Sequence, residues 1–230
     1  MAKKGGSKHL VRLTVPRYVR IVDKKSTRWL LSGSAGKHKK FESMSLAVFL
    51  RDVLGIAQNR AEVKAILNAK NVLIDGKVVK DEKQPVGLMD VISIPKSGKS
   101  YLIGIGKGRL VSNETKVADK KLCRVIGKRT VSGGKIAITF HDGRNIIADN
   151  HIKVGDTAVI KLPEGKIAEV LKLEKGSRCV VMRGLHAGKI AELAQIIERK
   201  GSMDPEATLK GADGEFTTLL KYLFVVGKHF

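Results

Sequence analysis

The run Val72-Leu73-Ile74-Asp75-Gly76-Lys77-Val78-Val79 limits what this chain can fold into more than any other stretch. Two apolar segments separated by Asp-Gly close into a hairpin, because a type I′ turn needs positive φ at both central residues. A helical pattern comes before it. Leu46, Phe49, Leu50 and Val53 fall at i, i+3, i+4 and i+7, one apolar face. Ser45 is the expected N-cap, Met44 is placed to staple onto Phe49, and Gly55 is the stop. A second helix is expected from Asn59, with Glu62 three residues later in a variant capping box and Val63, Ile66 and Leu67 as its stripe. Val91-Ile92-Ser93-Ile94 and Tyr101-Leu102-Ile103-Gly104-Ile105 then read as strands. Residues 45–94 therefore describe two short helices on a small sheet, with Arg60, Lys64 and Lys70 off the apolar stripe.

Past Gly108 the helical period fades. Short β-type runs begin at Leu122, Lys135, Arg144 and Thr157, and Ser132-Gly133-Gly134, His141-Asp142-Gly143, Val154-Gly155-Asp156 and Pro163-Glu164-Gly165 punctuate them. Turn spacing of this kind predicts a small β-barrel. From Gly176 the pattern repeats, with two strands around a glycine turn within Arg178–Leu193 and further strands at Ala194–Ile197 and Leu223–Val226; a five-stranded SH3-like barrel would use about this many residues. The expected class is α+β and multidomain: a helix pair on a sheet, then two barrel-like β-domains. The expected boundaries are an arm at 1–42, the helix–sheet module at 43–105, a central β-domain at 106–172 and a last β-domain at 173–230.

Charge narrows the partners. The 230 residues hold 44 Lys and Arg against 22 Asp and Glu, a formal net of +22. A compact chain so charged repels itself, and a polyanion relieves the repulsion. The excess is uneven: +10 in residues 1–42, +3 in 43–105, +7 in 106–172 and +2 in 173–230. The first segment alternates basic and apolar groups without a sustained period, so an irregular arm ordered by its partner is expected.

Catalytic and metal motifs are not supported. Gly36-Lys37 lacks both the glycine five positions earlier, where Leu31 stands, and the following hydroxyl, where His38 stands, so it is no phosphate loop. The histidines lack metal spacing, and His141-Asp142-Gly143 reads as a turn. Cys123 and Cys179 are 56 positions apart and fit two buried thiols in a reducing compartment. No apolar run reaches membrane-spanning length and no signal-peptide core is present, so a cytoplasmic chain is expected, with no cofactor, no metal and no small-molecule substrate.

Binding chemistry fits better. Arg60 opens a helix whose first amides already favour anions, Lys64 lies one turn on, and Arg51 and Lys77 flank the same region. Aromatic residues are 4% of the chain and none is patterned as a base-stacking platform. That favours backbone and shape recognition of folded RNA over reading of single strands.

Leu50-Arg51-Asp52-Val53-Leu54, Asn59-Arg60-Ala61-Glu62-Val63 and the Asp75-Gly76-Lys77 turn resemble the S-four type RNA-binding domain. Residues 176–193, with Gly188 at the characteristic glycine, resemble a KOW motif. Lys8-His9-Leu10 with Arg12 and Pro16, Gly36-Lys37-His38-Lys39, Pro85 to Ile94, Lys120 to Arg124, Ile152 to Asp156 and Phe224 to Lys228 are similar, in order, to the eS-four family of archaeal and eukaryotic small-subunit ribosomal proteins. The resemblance spans essentially the whole chain and leans archaeal, because no long basic tail follows Phe230.

This resemblance implies a non-enzymatic constituent of the small ribosomal subunit, bound to rRNA toward its 5′ domain and beside neighbouring small-subunit proteins. The expected RNA contacts are Lys8, His9, Arg12, Arg17, Lys37, His38, Lys39 and Lys40 in the arm. Arg51, Arg60, Lys64, Lys70 and Lys77 follow in the module, and Lys128, Arg129 and Arg144 in the central domain. Two rivals share these features: a translation or transcription factor using KOW, and a pseudouridine synthase. The second needs an Arg-Leu-Asp motif, and here Arg109-Leu110 is followed by Val111.

Overall fold

A computed structural model describes residues 9–19, 21, 24–115, 117–148, 150–199, 201–212 and 214–227. Lys8, Lys228 and Phe230, named above, lie outside them. The architecture is α+β, with few helices and several sheets. It separates into two compact units, Met1–Ile103 with Leu110–Thr115, and Gly104–Arg109 with Lys116–Phe230.

In the first unit, the first helix (α1) is short. It spans Leu46–Val48 and continues as a π-helical turn over Phe49–Val53. Leu54 N–H reaches back to Phe49 O at 3.0 Å and Ile56 N–H to Leu50 O at 3.0 Å, across Gly55 at φ +67°. This is the glycine-terminated stop that the sequence implies. Leu46, Phe49 and Leu50 are buried as the spacing requires.

The N-cap differs from expectation. Ser45 Oγ caps nothing and donates to Leu31 O at 3.0 Å. The first amides of α1 are taken by backbone carbonyls instead, Leu46 N–H by Gln84 O (2.9 Å) and Ala47 N–H by Glu82 O (3.0 Å). The four orphan donors of a helix start need acceptors, and a packed loop meets that need as well as a side chain does.

The second helix (α2) runs Arg60–Asn68 and buries Val63 and Leu67. The hairpin is as the sequence demands: Asp75 at φ +52° and Gly76 at φ +75°, with Ile74 opposite Lys77. It extends into a five-stranded sheet ordered Lys77–Val78, Leu73–Ile74, Val91–Ile94, Lys99–Gly106, Arg109–Thr115.

In the described part of residues 9–42 an irregular backbone, as expected of the arm, goes together with packing of its apolar residues. Its backbone is largely irregular, with one two-residue pairing of Leu10–Val11 and Trp29–Leu30. Yet Val15, Val19, Ile21 and Leu30 are buried, and Leu110 N–H donates to Tyr18 O at 2.8 Å. Apolar residues spaced without helical or strand period still bury when each meets a preformed face.

The second unit holds two five-stranded antiparallel sheets. One is ordered Asn145–Ala148, Ile136–Phe140, Lys120–Thr130, Thr157–Lys161, Lys166–Leu171. Its long strand Lys120–Thr130 pairs with Thr157–Lys161 through its first half and with Ile136–Phe140 through its second, the register shifting between Val125 and Gly127. Cys123, Val125, Ile138, Phe140, Ile152, Ala158 and Ile160 form its core.

The other sheet is ordered Gly214–Leu219, Glu206–Gly211, Ile190–Ile197, Arg178–Val181, Leu223–Val225. Its core takes alternate residues from successive strands: Cys179 and Val181, Ala191 and Leu193, Ala207 and Leu209, Leu223 and Val225. Gly188, at φ +91°, closes this unit against the backbone of residues 105–107. A Cβ there would lie 3.0 Å from both Ile105 O and Lys107 N, so only glycine fits.

Candidate nucleic-acid interface

The start of α2 is pinned before any ligand arrives. Asn59 Oδ1 accepts the Glu62 N–H at 3.0 Å, and the Glu62 carboxylate accepts the Gln58 N–H at 2.7 Å. The reciprocal capping bond thus lands one residue earlier than a standard capping box would place it. Arg60 and Lys64, one turn apart, both reach Glu82: Arg60 through Nε at 2.9 Å and through Nη2, Lys64 through Nζ at 3.9 Å. The hydrogen bond from Arg60 holds the Glu82 carboxyl below its ordinary range despite some burial, and raises the Arg60 guanidinium.

Arg51 sits in the π-helical turn and grips Asp52 with Nε and Nη2, both at 2.9 Å, which raises its own pKa. Arg51 and Arg60 therefore spend the same edge of the guanidinium on a carboxylate and keep the Nη1 side for another acceptor. Their planes are fixed in advance. The Asp52 and Glu82 side chains are only 13% and 10% accessible, so neither carboxylate gives up its guanidinium cheaply.

Arg51 and Asp52 also line an open, polar cleft of about 440 Å³ together with Arg12, Ser26, Thr27 and Gln58. Arg12 is buried, donates to Thr27 Oγ1 at 3.1 Å, and is held by its own N–H to Arg28 O at 3.0 Å. Two guanidiniums, one of them paired with the Asp52 carboxylate, two hydroxyls and an amide surround one cleft, a lining that is net positive. Ser26, Thr27 and Gln58 were not among the expected site residues. They are uncharged, Gln58 lies 31 positions beyond the adjacent Ser26 and Thr27, and no pattern marks them.

The remaining expected contacts divide. Arg17, Lys39, Lys40, Lys70, Lys77 and Arg129 are exposed, and His9 is exposed beside Trp29 at 5.3 Å between ring centroids. His38 is corrected: it is buried, with Nε2 2.8 Å from Asp90 Oδ2, and its ring covers Gly87. Lys37 is half-buried on Asp75 at 3.0 Å. Both were read as phosphate contacts because they sit in a basic run; burial of Asp75 and Asp90 claims them for the fold. In the central sheet, Lys128 Nζ donates to Asn150 O at 2.8 Å, and Arg144 Nε lies 3.0 Å from the buried Asp142.

A pinned helix pair with cations on one side is a recurring RNA-facing arrangement, and relatives decide which one this is. The small ribosomal subunit protein eS4 of Methanosphaera stadtmanae is 40% identical over 231 residues, 99% of this chain and 95% of that protein. The chain belongs to the S4e family of ribosomal proteins. The S4e description, "Ribosomal family S4e", matches residues 101–167, and the S4 domain matches residues 44–92. The eS4 protein of Archaeoglobus fulgidus is 38% identical over 221 residues, 96% of this chain and 93% of that one. Among solved structures, the 30S ribosomal protein S4e of Thermoplasma acidophilum superposes with a TM-score of 0.70 at 32% identity, over 82% of this chain and 96% of that chain.

The S4 domain match covers α1, α2, the hairpin and the first two residues of the strand Val91–Ile94, and so contains Arg51, Arg60, Lys64 and Lys77 of this S4e chain. Arg12, Ser26 and Thr27 lie outside it and reach the cleft from the amino-terminal segment.

Proposed function

We propose that this chain is a structural, non-enzymatic constituent of the small ribosomal subunit that binds rRNA, toward the 5′ domain, in the cytoplasm. The observation that carries the reading is the cleft in which Arg12, from the amino-terminal segment, and Arg51, from the S4-type module, face one polar space. Arg60, Lys64, Lys70 and Lys77 of the module, and Arg17, Lys39 and Lys40 of the amino-terminal segment, are the further phosphate contacts in this reading. Backbone phosphates are the ligand, because fixed guanidinium planes suit them and phosphate contacts set register. Lys128, Arg129 and Arg144 add contacts from the central β-domain.

The finer organisation belongs to the same proposal. Residues 1–42, 43–105, 106–172 and 173–230 act as arm, RNA-binding module, central β-domain and KOW-type SH3-like domain. The steric need for glycine at Gly188 supports the KOW reading of its loop. Neighbouring small-subunit proteins are the expected protein partners, and the source is archaeal.

Sedimentation tests this. The tagged chain should stay with small subunits through a high-salt wash and crosslink to rRNA of the 5′ domain. A chain that washes off would be a transient factor using the same motifs, and the reading would fail.

A further inference from the structure

Trp29 is the single tryptophan of the chain, and its side chain is 50% exposed. A large indole left half in water is costly, because its apolar body gains by burial. Its backbone is nevertheless rigid. Trp29 pairs with Val11 in a short strand, its neighbour Leu30 is buried at 6% exposure, and Thr27 Oγ1 donates to Trp29 O at 3.4 Å. Leu30, buried on the following side, anchors the strand from which the exposed ring projects.

What surrounds the ring is cationic or aromatic. The Arg28 guanidinium lies 4.9 Å from the ring centroid, and the His9 imidazole 5.3 Å from it at 48°. Thr27, two residues before Trp29, lines the polar cleft with Arg12 and Arg51. Thr27, in the lining of that polar cleft, is thus two residues from the aromatic face. A nucleotide offers both chemistries: a base with a π-face and a phosphate on its sugar.

We propose that Trp29 is a base-stacking platform, on which an unpaired base of the bound RNA stacks against the exposed indole with Arg28 beside it, while the flanking phosphate enters the Arg12–Arg51 cleft. This deepens the proposed rRNA-binding function and rests on it. Charge complementarity selects the occupant, since the Arg28 guanidinium lies 4.9 Å from the ring centroid and the segment that carries both, residues 1–42, has a net charge of +10. The site takes single-stranded loop or bulge nucleotides, because a base in a duplex has no free face. Stacking tolerates any base, so it adds affinity and position rather than sequence reading.

The lone tryptophan reports its own occupancy. The full-length chain is titrated with an rRNA 5′-domain fragment and, separately, with inorganic polyphosphate, following intrinsic fluorescence, acrylamide quenching and anisotropy of labelled RNA. RNA should change Trp29 emission and shield it from acrylamide, whereas saturating polyphosphate should leave both unchanged. Trp29→Ala should weaken RNA binding roughly tenfold, and Trp29→Phe should restore most of the loss. RNA that binds with Trp29 emission and acrylamide access unchanged overturns the platform and leaves the phosphate reading intact. So does polyphosphate acting as RNA does, or a folded Trp29→Ala chain that binds like wild type. Absence of RNA binding by the wild-type chain would instead overturn the proposed function. Should Trp29→Ala not fold by circular dichroism, the wild-type fluorescence comparison decides alone.

Discussion

Lys37 Nζ lies 3.0 Å from Oδ2 of Asp75, whose side chain is fully buried in the hairpin turn and whose Oδ1 accepts the Val91 N–H at 3.2 Å. The next residue repeats the device: His38 Nε2 lies 2.8 Å from the buried Asp90, whose Oδ2 also accepts the Gly87 N–H at 2.9 Å. Two adjacent residues of the amino-terminal segment thus satisfy two carboxylates of the module. A buried carboxylate without a partner is expensive, so the segment and the module stabilise each other.

Truncation tests that mutual dependence. Removing residues 1–42 deprives Asp75 and Asp90 of these partners and uncovers Gly87. The truncated chain should lose stability in urea titration and exchange the amides of residues 72–94 faster, beyond any loss of RNA affinity. Gly87→Ala tests the same latch more finely, because a Cβ there would lie 2.6 Å from the His38 ring. A cost of about 1–3 kcal/mol is expected, with proteolysis appearing ahead of residue 38.

The central β-sheet carries a buried ion group. Lys121 and Asp142 have fully buried side chains 3.3 Å apart, and Arg144 adds its Nε at 3.0 Å and its N–H at 3.1 Å to the same carboxylate. Burial pushes the Asp142 carboxyl upward, but the charges of Lys121, His141 and Arg144 and the Arg144 N–H outweigh it and hold the pKa below the ordinary value. Stability from this group is present above the usual aspartate pKa, about 3.9, and is lost as pH falls through the lower native value. Asp142→Asn should cost about 3–5 kcal/mol at pH 7 and reduce the acid sensitivity of unfolding. Lys121→Met with Asp142→Leu should recover most of that loss, as measured by urea denaturation at pH 7 and pH 3.

Cys179 behaves oppositely with pH. Burial pushes its thiol up to about 12, against a smaller opposing pull from Arg124. The native state keeps the thiol neutral while the unfolded state ionises above about 8.5. This contribution is full below that pH and falls as pH rises toward about 12. Neither Cys123 nor Cys179 should react with a thiol reagent at pH 8 until the chain is unfolded, and Cys179→Val should flatten the alkaline decline in stability.

Local constraints were readable in the sequence, and distant ones were not. Asp75-Gly76 and Asn59 with Glu62 were legible because each requirement lies within four residues. The strand Lys166–Leu171 was not expected, since Ile167, Val170 and Leu171 fall at helical spacing. Pairing with Thr157–Lys161 overrides that spacing. Glu206–Gly211 and Gly214–Leu219 were also missed; Ala207 and Leu209 alternate inward, but Thr208 and Lys210 dilute the signal. At the interface, residue types suggested the cations, but only the fold shows which are claimed. Arg60 meets Glu82 across 22 residues and His38 meets Asp90 across 52. The exposure of Trp29 has no sequence signature at all.

The salt dependence of rRNA binding tests the central claim most directly. Affinity of the full chain for a 5′-domain rRNA fragment is measured across a range of salt, beside an Arg51→Ala, Arg60→Ala, Lys64→Ala variant whose fold is checked by circular dichroism. Each lost phosphate contact should lower the magnitude of the log–log slope by about 0.7–0.9, so the variant should bind more weakly and with a slope shallower by roughly 2. A variant that is folded, binds more weakly and keeps the wild-type slope would show that these three cations do not neutralise phosphates, contradicting the account.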